Sequence, residues 1–296
     1  MMEKFRRQGV LRLAAAAIAT LWFASAGCEP ALQDGPIPPL EPARGKADIS
    51  EAIAALEAHR ARIGPLRAGG NARVEFYEPD GQKRPPENPN IQVRLVPPDL
   101  LFFRGEILGN ELVRFGTNST QFWFRIKPKE VSSYWWGLRE TARKCRGGGV
   151  LNPESVLEAL GIVEVDPSWT FQGVRGYDVL TLFDEAGVPV KRVYIDWRDY
   201  LVKRIEYYDV YGELAVVAAM SGYGENTDGI PVPTQIDIVY MRGIEGSLSI
   251  SMKLRDVRRF QPTEAQLRGE LFALPPKDGF ENVYVLADSC EFVRTD

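Results

Sequence analysis

The sequence predicts a mainly β protein built on one curled antiparallel sheet, with few helices, behind a removable leader. Three observations predict it. From residue 71 onward, successive segments alternate apolar and polar residues with period two, as strands with one wet face do. Turn residues such as Glu185-Ala186-Gly187 and Arg242-Gly243 separate them. Only residues 48 to 64 and 152 to 162 carry a helical stripe. A run of about ten strands does not lie flat, so the sheet is expected to curl, with closure left open.

The chain opens on Lys4, Arg6, Arg7 and Arg12, then an apolar stretch over residues 13 to 24. This is the build of a secretory signal peptide, and the apolar part is well short of the ~20 residues a membrane crossing needs. Ser25, Ala26, Gly27 and Cys28 follow. That tripeptide plus cysteine resembles a bacterial lipobox, which implies cleavage before Cys28 and acylation of its sulfur. Position 25 carries Ser where Leu is commoner, so an ordinary cleavage site beside an incidental cysteine is the competing reading. Pro30, Pro36, Pro38, Pro39 and Pro42 then sit among small and polar residues, a semi-rigid tether with a reach on the order of 60 Å. The expected organisation is a leader over 1–27, an acylated cysteine and tether over 28–47, and one domain over 48–296.

In that domain, Asp48 and Glu51 read as a capping box ahead of a helix whose apolar stripe is Ile49, Ile53, Leu56 and Ile63. Strands follow at 71–78, 90–98, 99–107, 111–118 and 121–128. In the last, Phe122, Phe124 and Ile126 share one face, with Trp123 and Arg125 on the other. Asn152-Pro153 caps a short helix striped by Val156, Leu157 and Leu160. Further strands are read at 176–185, 190–199, 201–210, 214–224, 234–241 and 248–257. In the last of these Leu248, Ile250, Met252 and Leu254 alternate with Ser249, Ser251 and Lys253.

Composition excludes much. With 36 basic against 40 acidic residues the net charge is −4, so the chain has no basic field for nucleic acid. Its single histidine, His59, rules out histidine clusters for zinc or non-haem iron. On its helix His59 reads as a boundary or surface residue, not a catalyst. Cys145 and Cys290 lack metal-ligand spacing; in an export compartment they either pair or stay free. No cofactor or metal is expected.

The order helix, strands, short helix, strands resembles the bacterial lipoprotein carrier and acceptor superfamily, the LolA/LolB-like proteins. The resembling stretches are FRGEILGNELVRFGTNSTQFWFRIKP (103–128), VYIDWRDYLVKRIEYYDVYGE (193–213), GIPVPTQIDI (229–238) and the segment from Phe272 to Pro276. The resemblance implies an open curved antiparallel half-barrel with helices covering its concave face and a hydrophobic cavity for acyl chains of lipoproteins or lipids. Cavity candidates by strand alternation are Phe122, Phe124, Ile126, Ile195, Trp197, Ile236, Ile238, Leu248, Ile250 and Met252. Cys28 favours the membrane-anchored acceptor over a soluble carrier. Glu29, where aspartate would signal inner-membrane retention, implies the periplasmic face of the outer membrane. A lipoprotein carrier or donor protein is an implied partner, and a monomer is expected.

Two other functions compete. An anchored sensor or protein-interaction domain of the same fold would expose Trp135 and Trp136 at a loop tip, whereas burial would make them core. An enzyme would draw a carboxylate pair from Asp178, Asp196 and Asp199, but acids in turns and on wet faces are usually solvated, and no nucleophile motif accompanies them.

Overall fold

The computed structural model describes residues 44–77, 83, 85–127, 132–145, 152–224, 226, 228–241 and 247–295. The leader, Cys28, nearly all of the tether and the Arg242-Gly243 turn lie outside the described residues.

Helix α1 (Ile49–Ile63) starts where its cap predicts. Asp48 Oδ1 accepts from the backbone N–H groups of Ser50 at 2.8 Å and Glu51 at 3.0 Å. The Glu51 carboxylate reaches back to the Ala47 N–H at 3.1 Å, one residue earlier than a standard capping box. Its buried face is Ala52, Leu56, His59 and Ile63. Ile49 and Ile53 of the expected stripe are only half-buried. His59 is therefore a core residue, correcting the surface placement: its ring packs edge-on against Tyr223 at 6.3 Å.

The first half of the sheet is β1 (Leu66–Tyr77), β2 (Asn90–Val96), β3 (Leu100–Ile107), β4 (Asn110–Thr117), β5 (Gln121–Ile126) and β6 (Ser133–Leu138). Helices α2 (Arg139–Lys144) and α3 (Pro153–Ala159) lead to the second half. That half is β7 (Thr170–Val174), β8 (Tyr177–Phe183), β9 (Pro189–Asp196), β10 (Val202–Tyr208), β11 (Leu214–Ser221), β12 (Gln235–Tyr240) and β13 (Ser247–Arg259). After a π-helical turn at Gln266–Glu270 come β14 (Asn282–Leu286) and β15 (Phe292–Thr295).

These fifteen strands form one sheet, in the order β15-β14-β6-β5-β4-β3-β2-β1-β13-β12-β11-β10-β9-β8-β7. Every neighbouring pair is antiparallel except β14 with β6. The edges β7 and β15 do not pair, so the curled sheet is an open half-barrel. The long β1–β13 ladder, from Leu66 opposite Arg259 to Tyr77 opposite Ser247, joins the halves.

The inner face carries the main core. Leu66, Ala68, Leu95, Leu180, Val193, Ile205 and Ile236 are buried there with Ala52, Leu56 and Ile63 of α1 and Leu157 of α3. The outer face of β4–β6 is covered by the chain leading into β14. The Tyr134 hydroxyl donates to the Pro275 carbonyl at 2.9 Å, and Asn118 Nδ2 donates to that of Phe272 at 3.1 Å. Trp123 is fully buried there, flat over Gly116, where a Cβ would overlap the indole. Cys145, after α2, is disulfide-bonded to Cys290 in the β14–β15 turn.

Candidate functional site

On the inner face, cross-strand register aligns an aromatic row through Phe103, Phe115, Phe124, Trp135 and Tyr284. Phe124 and Trp135 lie 5.6 Å apart, and Trp135 stacks on Tyr284 at 5.6 Å and 11°. Phe115 is buried, while Phe103, Phe124, Trp135 and Tyr284 stay half-buried. Beyond β1, the same face presents Leu248, Ile250 and Met252 of β13 with Val74 opposite Ile250. All four are also half-buried. Apolar surface left partly open on a sheet interior is what a removable apolar occupant requires.

The ten cavity candidates divide accordingly. Phe124, Ile126, Leu248, Ile250 and Met252 lie on this half-open surface. Phe122, Ile195, Ile236 and Ile238 are buried. Trp197 sits in the turn after β9, and its indole N–H donates to Asp178 Oδ1 at 2.7 Å. Trp135 and Trp136 belong to strand β6 rather than a loop tip, and Trp136 lies beneath the Lys277 ammonium at 3.8 Å.

Over β8–β10, α1, α3 and the segment 162–169 enclose a cleft of about 640 Å³, within the range of small-molecule sites. Its walls include Leu56, Leu157, Val163 and Leu182, and its rim Arg60, Arg143 and Glu164. On its floor Glu158, buried on α3, accepts from Lys191 Nζ and the Tyr207 hydroxyl, each at 2.5 Å. Burial and the Glu158 carboxylate push the Tyr207 phenol well up, so it remains a donor. Lys191 also lies over the Trp169 ring at 4.9 Å.

Arg139 fastens one wall. Buried at the start of α2, it pairs with Asp99 in the β2–β3 turn and Glu154 on α3, and donates to the Asn118 carbonyl at 3.2 Å. Burial alone would lower its pKa; the two carboxylates outweigh that and raise it. The arrangement can hold an amphiphile, with apolar walls, a buried polar cluster on the floor, a charged rim and half-open aromatic surface on the same face.

The three acids considered for catalysis do not form a pair. Asp178 faces inward and is 1% exposed, which corrects its placement as a solvated acid. It accepts from the Lys46 backbone N–H at 2.8 Å, Trp197 Nε1 at 2.7 Å and the Tyr200 hydroxyl at 2.9 Å. Asp196, opposite Tyr177, lies on the other face and accepts from the Arg198 N–H at 2.8 Å. Asp199 pairs with Lys203 at 2.6 Å.

Sequence reasoning missed Arg139, Glu154, Glu158 and Lys191. Each is an ordinary charge in its own segment; only the fold assembles them. No helix among the described residues is long and apolar enough to cross a membrane.

No protein-family model and no curated protein matches the chain. Among solved structures, a LolA superfamily protein of Nitrosomonas europaea aligns with 76% of this chain and 99% of its own, at 13% identity and TM-score 0.47. A Vibrio parahaemolyticus domain described as an outer membrane lipoprotein-sorting protein aligns with 75% of this chain and 97% of its own, at 10% identity and TM-score 0.48. A DUF1329 family protein of Desulfovibrio piger covers 75% of this chain and 98% of its own, at 13% identity and TM-score 0.49.

Proposed function

We propose that this chain is a lipid-anchored, periplasm-facing protein that holds acyl chains of lipoproteins or lipids on the inner face of its half-barrel. The observation that carries the reading is the half-buried apolar surface of Phe103, Phe124, Trp135, Leu248, Ile250 and Met252, which the helices leave partly open. An acyl chain of ~15 methylenes carries on the order of 12 kcal/mol of transfer free energy. Such a chain travels through water only inside an apolar container, and the container needs shape, not a nucleophile. Phe124, Ile126, Leu248, Ile250 and Met252 contact the chain in this reading. The other candidates, buried already, form the support beneath.

Cys28 and the tether supply the anchor in the same reading, and Glu29 directs the protein to the outer membrane. Metabolic labelling with a radioactive fatty acid tests this part: incorporation into the chain, lost in Cys28→Ala, is expected. The binding site is tested by native mass spectrometry and lipid extraction on residues 44–296. Copurified acyl lipid, lost in Phe124→Asp or Ile250→Asp while the circular dichroism spectrum is kept, is expected. An empty protein that stays empty when lipopeptide is offered refutes acyl binding and leaves an anchored interaction domain.

A further inference from the structure

The geometry points to a second site, on the outer face at β3 and β4 beside the segment that covers β5, where the partly exposed Arg104 and Arg114, with the buried Arg125 behind them, bind a singly charged phosphate diester. The three arginines are direct cross-strand partners, Arg104 opposite Arg114 and Arg114 opposite Arg125. Like charges in directly opposed positions repel, so they need compensation. Glu111 pairs with Arg114, with Arg125 at 2.7 Å and with Arg104 at 3.4 Å, and Glu106 pairs with Arg104. Among the described residues, two carboxylates against three guanidiniums leave one positive charge over.

Donors are in excess as well. Arg104 Nε and Arg125 Nε are buried without a hydrogen-bond acceptor, as are the indole N–H groups of Trp123 and Trp136 on the same face. The Arg125–Glu111 ion pair is close but lacks hydrogen-bond geometry, since Glu111 Oε1 also has no donor. Arg125 is 8% exposed. A buried polar group left unpaired costs its full desolvation. Burial and the adjacent Arg114 push the Arg125 pKa down and outweigh Glu111, which raises it. The side chains of Arg104 and Arg114 are 32% and 22% exposed, which opens the cluster to solvent.

Guanidinium forks donate two parallel N–H groups to paired oxygens, the geometry a phosphate presents. A diester brings one negative charge, equal to the surplus. A second charge, as on a monoester, would meet Glu111. Lipid headgroups and soluble diesters share this chemistry. The site lies on the face opposite the apolar row and stands without the acyl-binding reading.

The test titrates the full chain, carrying Cys28→Ala to remove the proposed anchor, with glycerophosphoglycerol by calorimetry. Parallel sedimentation uses phosphatidylcholine vesicles with and without phosphatidylglycerol. Diester binding that weakens about tenfold in Arg104→Gln and tightens in Glu106→Gln, which doubles the surplus charge, is expected. Glu106→Gln gains rather than loses affinity, so impaired folding does not mimic it. Arginine-dependent retention on phosphatidylglycerol vesicles identifies a lipid headgroup as the source. Arginine-dependent binding of the soluble diester alone identifies a solution ligand. No diester binding at about 10 mM, on the weak side of ordinary ligand affinities, or binding indifferent to both substitutions, overturns the site.

Discussion

Removing the Asp178 carboxylate tests how the domain holds its own entry point. In Asp178→Ala, three donors lose their acceptor together: the Lys46 N–H, Trp197 Nε1 and the Tyr200 hydroxyl. Each hydrogen bond to a charged group is worth roughly 1.5–3 kcal/mol. Trp197 and Tyr200 are only half-buried, so water recovers part of the loss. The net cost is about 3–5 kcal/mol, as for breaking a buried charged network. For a domain of this size each kcal/mol lowers Tm by ~2–4 °C, so a fall of about 10 °C is expected. Asp178→Asn keeps one oxygen but turns an amide N–H toward the remaining donors, and should lose about half as much. The assay is thermal unfolding by near-ultraviolet circular dichroism, with hydrogen exchange read at the Lys46 amide. That amide should exchange quickly in the alanine variant. Gly45, where a Cβ would overlap Asp178, should show the same exchange when changed to Ala. An Asp178→Ala protein within ~2 °C of its parent, with Lys46 still protected, would refute the reasoning.

Four further outcomes are expected. His59 has its pKa lowered by burial and by Arg62, so the unfolded chain takes up the proton first. Its contribution is complete above the unfolded value near 6.5 and declines as pH falls through that value toward the folded one. Urea unfolding from pH 7.5 to 5 should show this loss, and His59→Gln should flatten it. Reducing Cys145–Cys290 releases a loop of 145 residues, for which chain entropy sets a ceiling of ~5 kcal/mol; the paired serine variant should show a lower urea midpoint. Arg139→Met leaves Asp99 without its arginine and Glu154 with Arg143 alone, and should cost about 3 kcal/mol in urea unfolding, the low end for a buried pair because both carboxylates are partly exposed, with Arg139→Lys recovering little because it cannot fork between them. Gly116→Val drives a side chain into the Trp123 indole and should cost at least ~2 kcal/mol, read as lost near-ultraviolet signal.

The strands that the sequence determined by itself are those with one wet and one buried face. In β13, Leu248, Ile250 and Met252 alternate with exposed Ser251 and Lys253, and a period of two records the sheet directly. The caps at Asp48 and Asn152 were equally legible, because capping is a bond between near neighbours in the chain. Segments with a different pattern were not. β6 has Trp135 half-buried inside and Tyr134 buried outside, so no alternation marks it. β7 is an edge with mostly exposed residues, and α2 is six residues held by Arg139 rather than by an apolar stripe. Face assignment also failed where depth mattered. Alternation told that Ile236 and Ile250 share a side, and only the packing of the helices decided that the first is sealed while the second stays half-open. His59 and Asp178 moved from surface to core for the same reason: Tyr223 lies far along the chain from His59, and Lys46 and Tyr200 far from Asp178. Local sequence fixes which groups a residue offers and which way its element turns. Burial and the meeting of Arg104, Arg114 and Arg125 across three strands depend on long-range contacts, which exist only once the sheet has curled.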